Sequence, residues 1–210
     1  MLGAKHLTNL HPNAAATLLL WRQSLRRPRQ VCSAMPSSPF VGAAMAEAIR
    51  GRPEHAVIEL GAGTGAVTRQ LLAHGVNPAD LTLVEIDRSL GAYLRATFPK
   101  VQTIVASAEQ LAQLWEDRQK PKAGAIVSTL PLRLFEPPEL RSILANALAV
   151  LAPGAPFVQF TYRPGNPVPP RVLAELGLQS ARHSMVWANC PPAAIWTYRL
   201  QSQTELAEAS

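Results

Sequence analysis

From about residue 39 onward, apolar positions alternate between two periods. Short and nearly continuous apolar runs, rich in Val, Ile and Leu, occupy residues 55–60, 81–86, 101–105, 123–128 and 157–162. Runs of this length and composition predict strands buried on both faces. Between them, residues 40–50, 66–74, 88–97, 108–117 and 137–151 carry apolar residues at three- and four-residue spacing, which predicts helices. Gly75 closes the second of these, Pro99 stops the third, and Pro153-Gly154 closes the fifth. A short helix over 171–176 and two strands over 183–188 and 194–200, joined through Asn189–Pro192, complete the pattern.

Five successive strand–helix units predict a parallel sheet with helices on both faces. The last two strands have no helix between them, so they are expected to form an antiparallel hairpin on one edge. The expectation is an α/β, Rossmann-like fold with a seven-stranded, mostly parallel sheet. In such sheets ligands bind beyond the carboxyl ends of the strands, where strand order reverses.

The first forty residues differ from the rest. Asn13 is placed to cap a helix running to about Arg27 and stopped by Pro28, with Leu18, Trp21 and Leu25 on one face and Arg22, Arg26 and Arg29 on a neighbouring one. Such a basic amphipathic helix suits a membrane interface as well as it suits packing on the domain. The expected organisation is therefore a basic extension over 1–38, a main α/β domain over 39–200 and a tail over 201–210.

Charge sharpens this division. Residues 1–53 hold seven Lys/Arg and one acid, whereas the remainder holds thirteen of each, so the whole excess of +6 lies in the N-terminal quarter. An arm of this kind seeks a polyanion, either nucleic acid or an anionic membrane surface. Apolar residues make up 48% and charged residues 16%, which excludes a disordered chain. The apolar run at 14–21 is far short of the roughly 20 residues a spanning helix needs. Most arginines follow that run, the reverse of a secretory signal, which points to the cytoplasm. Cys32 and Cys190 stand apart from each other and from the five histidines, so no metal is expected.

The chemistry is carried by Glu59-x-Gly61-x-Gly63-x-Gly65, which runs from the first strand into a helix. Glycines let the backbone turn sharply and approach a ligand closely. On their own they admit a nicotinamide cofactor too, since Gly61-x-Gly63-x-x-Ala66 satisfies a permissive dinucleotide fingerprint. Glu59 shifts the balance: an acid there repels a pyrophosphate and suits the ammonium and sulfonium of S-adenosyl-L-methionine. The segment resembles the first motif of class I methyltransferases. Glu85, at the end of the second strand, is expected to take the ribose hydroxyls, with Asp87 as competitor. Val84-Glu-Ile-Asp-Arg88 resembles the corresponding segment of rRNA adenine dimethyltransferases, where the Glu takes the ribose. Ser107, Ala108 and Glu109 follow the third strand, where class I enzymes hold the adenine; Ser107 equally suits a helix cap.

Ser128-Thr-Leu-Pro-Leu132 follows the fourth strand. Class I enzymes that methylate nitrogen place a Pro-containing loop here, whose backbone carbonyls orient the target amine. Ser128 is assigned to the cofactor, and Thr129 and Leu130 to catalysis. Taken with Arg27-Pro-Arg-Gln-Val31, Pro36-Ser-Ser38, Gln159-Phe-Thr-Tyr162 and Asn189-Cys-Pro-Pro-Ala193-x-x-Trp196, the chain resembles the bacterial soluble-type phospholipid N-methyltransferases from about residue 18 to 200. These convert phosphatidylethanolamine stepwise to phosphatidylcholine. Similar enzymes act on ornithine lipids.

The resemblance implies that Ser37 and Ser38 lie at the cofactor's methionine end. It implies that Trp21, Arg22, Arg26, Arg27 and Arg29 meet the membrane and its lipid phosphates, and that Tyr162 holds the amine or phosphate. Phe135, Phe160, Tyr162 and Trp187 are candidates to hold a methylated ammonium by cation–π contact. The expected substrate is a phospholipid at the inner face of the cytoplasmic membrane. Nucleic acid is disfavoured, because Leu132 stands where an aromatic would stack a flipped adenine. No protein partner is indicated.

Overall fold

The computed structural model describes residues 38–51, 56–163 and 165–201. The described residues all belong to one unit, Ser38–Ser210. The basic helix expected over 13–27, with Trp21, Arg22, Arg26, Arg27 and Arg29, lies outside the described residues, as do Ser37 and most of the tail.

Helix α1 (Pro39–Ala48) leads into β1 (Val57–Leu60), α2 (Ala66–Ala73), β2 (Leu81–Glu85), α3 (Arg88–Thr97) and β3 (Gln102–Val105). A 3₁₀ turn (Ala108–Gln110) and α4 (Leu111–Glu116) precede β4 (Ala125–Ser128), and α5 (Pro137–Val150) precedes β5 (Phe157–Thr161). The chain then forms α6 (Pro170–Glu175), β6 (Leu178–Val186) and β7 (Ala193–Leu200). The sheet runs β3-β2-β1-β4-β5-β7-β6, with the first five strands parallel and β7 antiparallel to both neighbours. The expected seven-stranded sheet and its hairpin are present, with β7 inserted between β5 and β6.

Strands β1, β2, β4 and β5 are buried at every position because side chains on both faces meet helices. One face packs Val127, Val158 and Phe160 against Val41, Met45, Val67, Leu71 and Leu94 of α1–α3. The other packs Ile58, Ile126 and Phe157 against Leu111, Leu140 and Leu144 of α4 and α5.

Most element boundaries shift by one or two residues from the sequence expectation, and three departures have a physical cause that can be named. β6 starts at Leu178 instead of 183. It is an edge strand whose Gln179, Ala181, Arg182 and His183 are exposed, so its apolar signal is thin, and the ladder slips between Arg182 and Ser184. The helix expected over 108–117 opens as a 3₁₀ turn under the Ser107 cap. Tyr162 falls just past the end of β5.

The sheet order reverses between β1 and β4, so the loops after Leu60 and Ser128 face one crevice at the carboxyl edge. The turn between β6 and β7 lies on the same edge, because Ala194 pairs with Thr161 at the end of β5.

Candidate functional site

The glycine turn leaves β1 at Leu60. Gly61, Gly63 and Gly65 all have φ between +56° and +75°, a region costly for residues with a Cβ. Their surroundings differ. A Cβ on Gly65, the residue before α2, would lie 2.3 Å from a ring carbon of Phe98, so this glycine serves helix packing. A Cβ on Gly61 would lie 2.9 Å from Leu130 Cδ2 and 3.2 Å from Thr129 Oγ1, so this glycine lets the Pro loop close on the turn. A Cβ on Gly63 would meet only the Gly61 carbonyl oxygen, at 3.7 Å, so it faces the open side of the cradle.

Glu85 ends β2, and its two oxygens reach two parts of the cradle. Oε2 accepts the Gly63 N–H at 2.9 Å, and Oε1 accepts the Asp87 N–H at 3.0 Å. Burial raises its pKa, and these N–H groups partly offset that. Asp87 serves the next helix instead. Its Oδ1 accepts the Ser89 and Leu90 N–H groups at 2.7 and 3.0 Å and caps α3. The two acids are thereby separated into one on the turn and one on the helix. Between them, Ile86 is 57% exposed, an apolar side chain at the rim that the sequence pattern did not single out. The signal that marks it is an apolar residue directly after the strand's acid, beyond the strand's buried register.

Glu59 is fully buried, and burial pushes its carboxyl from 4.5 up to about 8. Oε2 accepts the Thr68 hydroxyl at 2.7 Å, near the start of α2, while Oε1 is buried without a hydrogen-bond partner. A buried carboxyl with one oxygen unpaired is stabilised in its ionised form by a cation placed beside it.

Ser38 Oγ accepts the Val41 N–H at 3.4 Å, which makes it the cap of α1. Ser107 Oγ accepts the Glu109 N–H at 3.2 Å and caps the 3₁₀ turn, with Ala108 half-buried and Glu109 exposed. Of the two roles open to Ser107, capping is the one its hydroxyl performs.

The Pro loop is tied to the glycine turn. The Thr129 N–H donates to the Leu60 carbonyl at 2.9 Å, and the Thr129 hydroxyl donates to the Gly61 carbonyl. The buried Ser128 hydroxyl accepts the Leu130 N–H at 3.3 Å, inside the loop. Pro131, at φ −80° and ψ 67°, makes an inverse γ-turn that brings the Leu132 N–H to the Leu130 carbonyl at 2.9 Å. The same carbonyl accepts Gln159 Nε2 at 3.0 Å. Both lone pairs of the Leu130 carbonyl are thus engaged within the protein, which corrects the expectation that it is free to meet the amine. The Thr129 carbonyl accepts none of the hydrogen bonds made by the described residues.

The four aromatics do not form one cage. Phe160 and Tyr162 pair edge-to-face, with centroids 5.3 Å apart, beside α1. Phe135 packs on the opposite face of the sheet, and Trp187 is 75% exposed on the β6–β7 turn.

Residues 57–154, which hold all of this except α1 and the last three strands, match the family described as "Methyltransferase domain". An ornithine lipid N-methyltransferase from Singulisphaera acidiphila is 30% identical over 138 residues, covering 64% of this chain and 71% of that protein. The chain belongs to the class I S-adenosylmethionine-dependent methyltransferases. The ribosomal RNA small subunit methyltransferase A of Marinobacter nauticus is 36% identical over 104 residues, but the match spans 47% of this chain and only 35% of that enzyme. Among solved structures, the N-methyltransferase NodS from Bradyrhizobium japonicum, in complex with S-adenosyl-L-homocysteine, has the same fold. Its TM-score is 0.62 at 15% identity, covering 89% of this chain and 99% of NodS.

The methyltransferase's own residues fit its cofactor. An open glycine at 63, a carboxylate on the turn at Glu85 and an unpaired buried acid oxygen at Glu59 suit a ligand with ribose hydroxyls and a cationic amino-acid end. Among the described residues, no helix is long and apolar enough to cross a membrane.

Proposed function

We propose that this methyltransferase methylates the head-group amine of a phospholipid, with phosphatidylethanolamine as substrate, at a membrane surface. The observation that carries the reading is the likeness to a lipid N-methyltransferase, which extends over 71% of that protein. Its name gives ornithine lipid as the acceptor, and both lipids present an amine on a flexible polar head. The excess of basic charge in residues 1–53 supports an anionic surface as the place of work. Against an RNA substrate, Leu132 stands where an aromatic would stack a flipped base, and it is itself buried.

In this reading Glu85 accepts the ribose hydroxyls, Gly63 leaves room for the cofactor, Glu59 faces its ammonium and Ile86 covers the adenine. When bound, S-adenosylmethionine would supply the methyl group of its sulfonium, which leaves as S-adenosylhomocysteine when the amine attacks. The head-group ammonium first gives a proton to water. In the first and second transfers the Thr129 carbonyl, just past the end of β4, then accepts an N–H of the neutral amine and aims its lone pair; the tertiary amine of the third transfer has no N–H and is placed by the surrounding side chains alone. Tyr162, beside α1, steadies the head group. Positioning and exclusion of water supply the rate, without a dedicated base.

The test is incubation of the full chain with methyl-labelled S-adenosylmethionine and either phosphatidylethanolamine vesicles, ornithine-lipid vesicles or ribosomal RNA. Label in phosphatidylethanolamine is expected. Label in ornithine lipid alone would move the acceptor, and label in RNA alone would overturn the lipid reading.

A further inference from the structure

Gln159 lies in the middle of β5, in a strand otherwise filled by apolar residues and threonine, and it is 2% exposed. Its amide nitrogen makes two bonds, to the Leu130 carbonyl at 3.0 Å and to the Phe160 carbonyl at 2.8 Å. Two carbonyl partners fix the orientation of the amide, since only the NH₂ end can donate to both. The amide oxygen is therefore directed elsewhere, and it is buried with no partner. The residue directly opposite in the antiparallel β5–β7 ladder is Trp196, whose indole nitrogen is also buried with no partner. Opposed residues in such a ladder share a face, with Cβ atoms about 5 Å apart. An unpaired acceptor and an unpaired donor thus belong to opposed residues on one face of the sheet, and the Gln159 amide reaches the Pro loop through the Leu130 carbonyl. Buried polar groups left without a partner are destabilising, and a single water that accepts from the indole N–H and donates to the amide oxygen satisfies both.

We propose that Gln159 is a positioning residue for methyl transfer: it pins the Leu130 carbonyl inward, so that the loop presents the Thr129 carbonyl to the amine, and a water shared with the Trp196 indole holds it in place. The proposal rests on the reading of Ser128–Leu132 as the acceptor loop. It explains why a polar side chain occupies the core of a buried strand. Its amide nitrogen helps close the Leu130 carbonyl to any substrate, and its oxygen is anchored from the neighbouring strand. Gln159 acts through Leu130 and touches neither reactant.

The experiment uses Gln159→Leu, Trp196→Phe and the double variant in the full chain. Cofactor affinity is followed by calorimetry, and kcat and KM with phosphatidylethanolamine vesicles. Gln159→Leu is expected to lower kcat by about 10–100-fold, the cost of misplacing a reacting group by around an ångström. Cofactor affinity should stay as in the wild type. Trp196→Phe, which removes the N–H and keeps an aromatic ring, should lower kcat less. The double variant should be no worse than Gln159→Leu, because both act through one carbonyl. Additive losses, or unchanged kcat in Gln159→Leu, would overturn the proposal.

A readout independent of the acceptor is the indole N–H resonance of Trp196. It is expected to show a cross-peak to bound water and to shift in Gln159→Leu, or in Gln159→Met if the leucine variant does not fold. An indole signal indifferent to residue 159 would also overturn it. If the wild type fails to label any lipid, the lipid reading falls while the resonance still decides the Gln159–Trp196 link.

Discussion

Replacing Glu59 by glutamine separates the stability of the fold from the chemistry of its site. The carboxyl is fully buried, one oxygen is held by Thr68, and the other is unpaired. Burial raises its pKa from 4.5 to about 8 in the folded chain. Between those values the folded state holds a proton that the unfolded state has released. Stability therefore falls with rising pH, by about 1.4 kcal/mol per pH unit. The favourable contribution is complete below 4.5 and is lost as pH rises through about 8. From pH 5 to pH 8 the loss amounts to about 3–4 kcal/mol, a large part of a typical domain's total. Glutamine does not titrate. Urea unfolding followed by circular dichroism at several pH values should show the wild type weakening across this window. The Glu59→Gln profile should be flatter by that amount. The slope is the diagnostic, because the constant cost of placing an amide beside Thr68 shifts the whole curve without tilting it. Glu85, whose pKa burial also raises, titrates in both proteins and differs between them only through its charge repulsion with Glu59. S-adenosylmethionine should restore stability at pH 8 more in the wild type than in the variant, since its ammonium favours the ionised acid. Parallel pH profiles for the two proteins would refute the buried, unpaired carboxyl.

Five further outcomes are expected of substitutions in and around the site. Glu85→Gln should weaken S-adenosylmethionine binding by calorimetry by about 1.5–3 kcal/mol, the worth of a charged hydrogen bond, and Gly63→Val should abolish binding because φ is +56° on the open side of the cradle. Asp87→Ala should cost about 1 kcal/mol of stability by denaturant unfolding, as loss of a helix cap does, with cofactor affinity kept; lost affinity would return the ribose role to Asp87. Gly65→Ala should lower the melting temperature through about 2–4 kcal/mol of combined backbone strain and overlap with Phe98. Tyr162→Phe should cut methyl transfer to lipid while cofactor affinity is unchanged, and a fully active variant would remove the hydroxyl from the site.

The parallel core was legible in the sequence because β1, β2, β4 and β5 are buried on both faces and therefore read as apolar runs. β6 was only half legible: an edge strand with Gln179, Arg182 and His183 exposed has no apolar pattern to show, and its existence depends on pairing with β7. The choice between Glu85 and Asp87 was narrowed but not closed by sequence, since both point to one side. In the structure the helix start claims Asp87 for its cap, which leaves Glu85 as the proposed ribose partner. Ser38 and Ser107 fit a cap and a ligand contact alike, and only the direction of their hydroxyls shows the cap. The occupied Leu130 carbonyl depends on Gln159, 29 residues away in sequence and on a neighbouring strand. No local pattern announces a contact of that kind.

The central claim is that a lipid amine receives the methyl group. Its most direct test is mass spectrometry of the lipids recovered after the full chain acts on vesicles containing both phosphatidylethanolamine and ornithine lipid, with S-adenosylmethionine present. The account predicts phosphatidylethanolamine carrying one, two and three added methyl groups. Unchanged phosphatidylethanolamine alongside methylated ornithine lipid would contradict the head group proposed, and two unchanged lipids with a cofactor-competent protein would contradict the lipid acceptor itself.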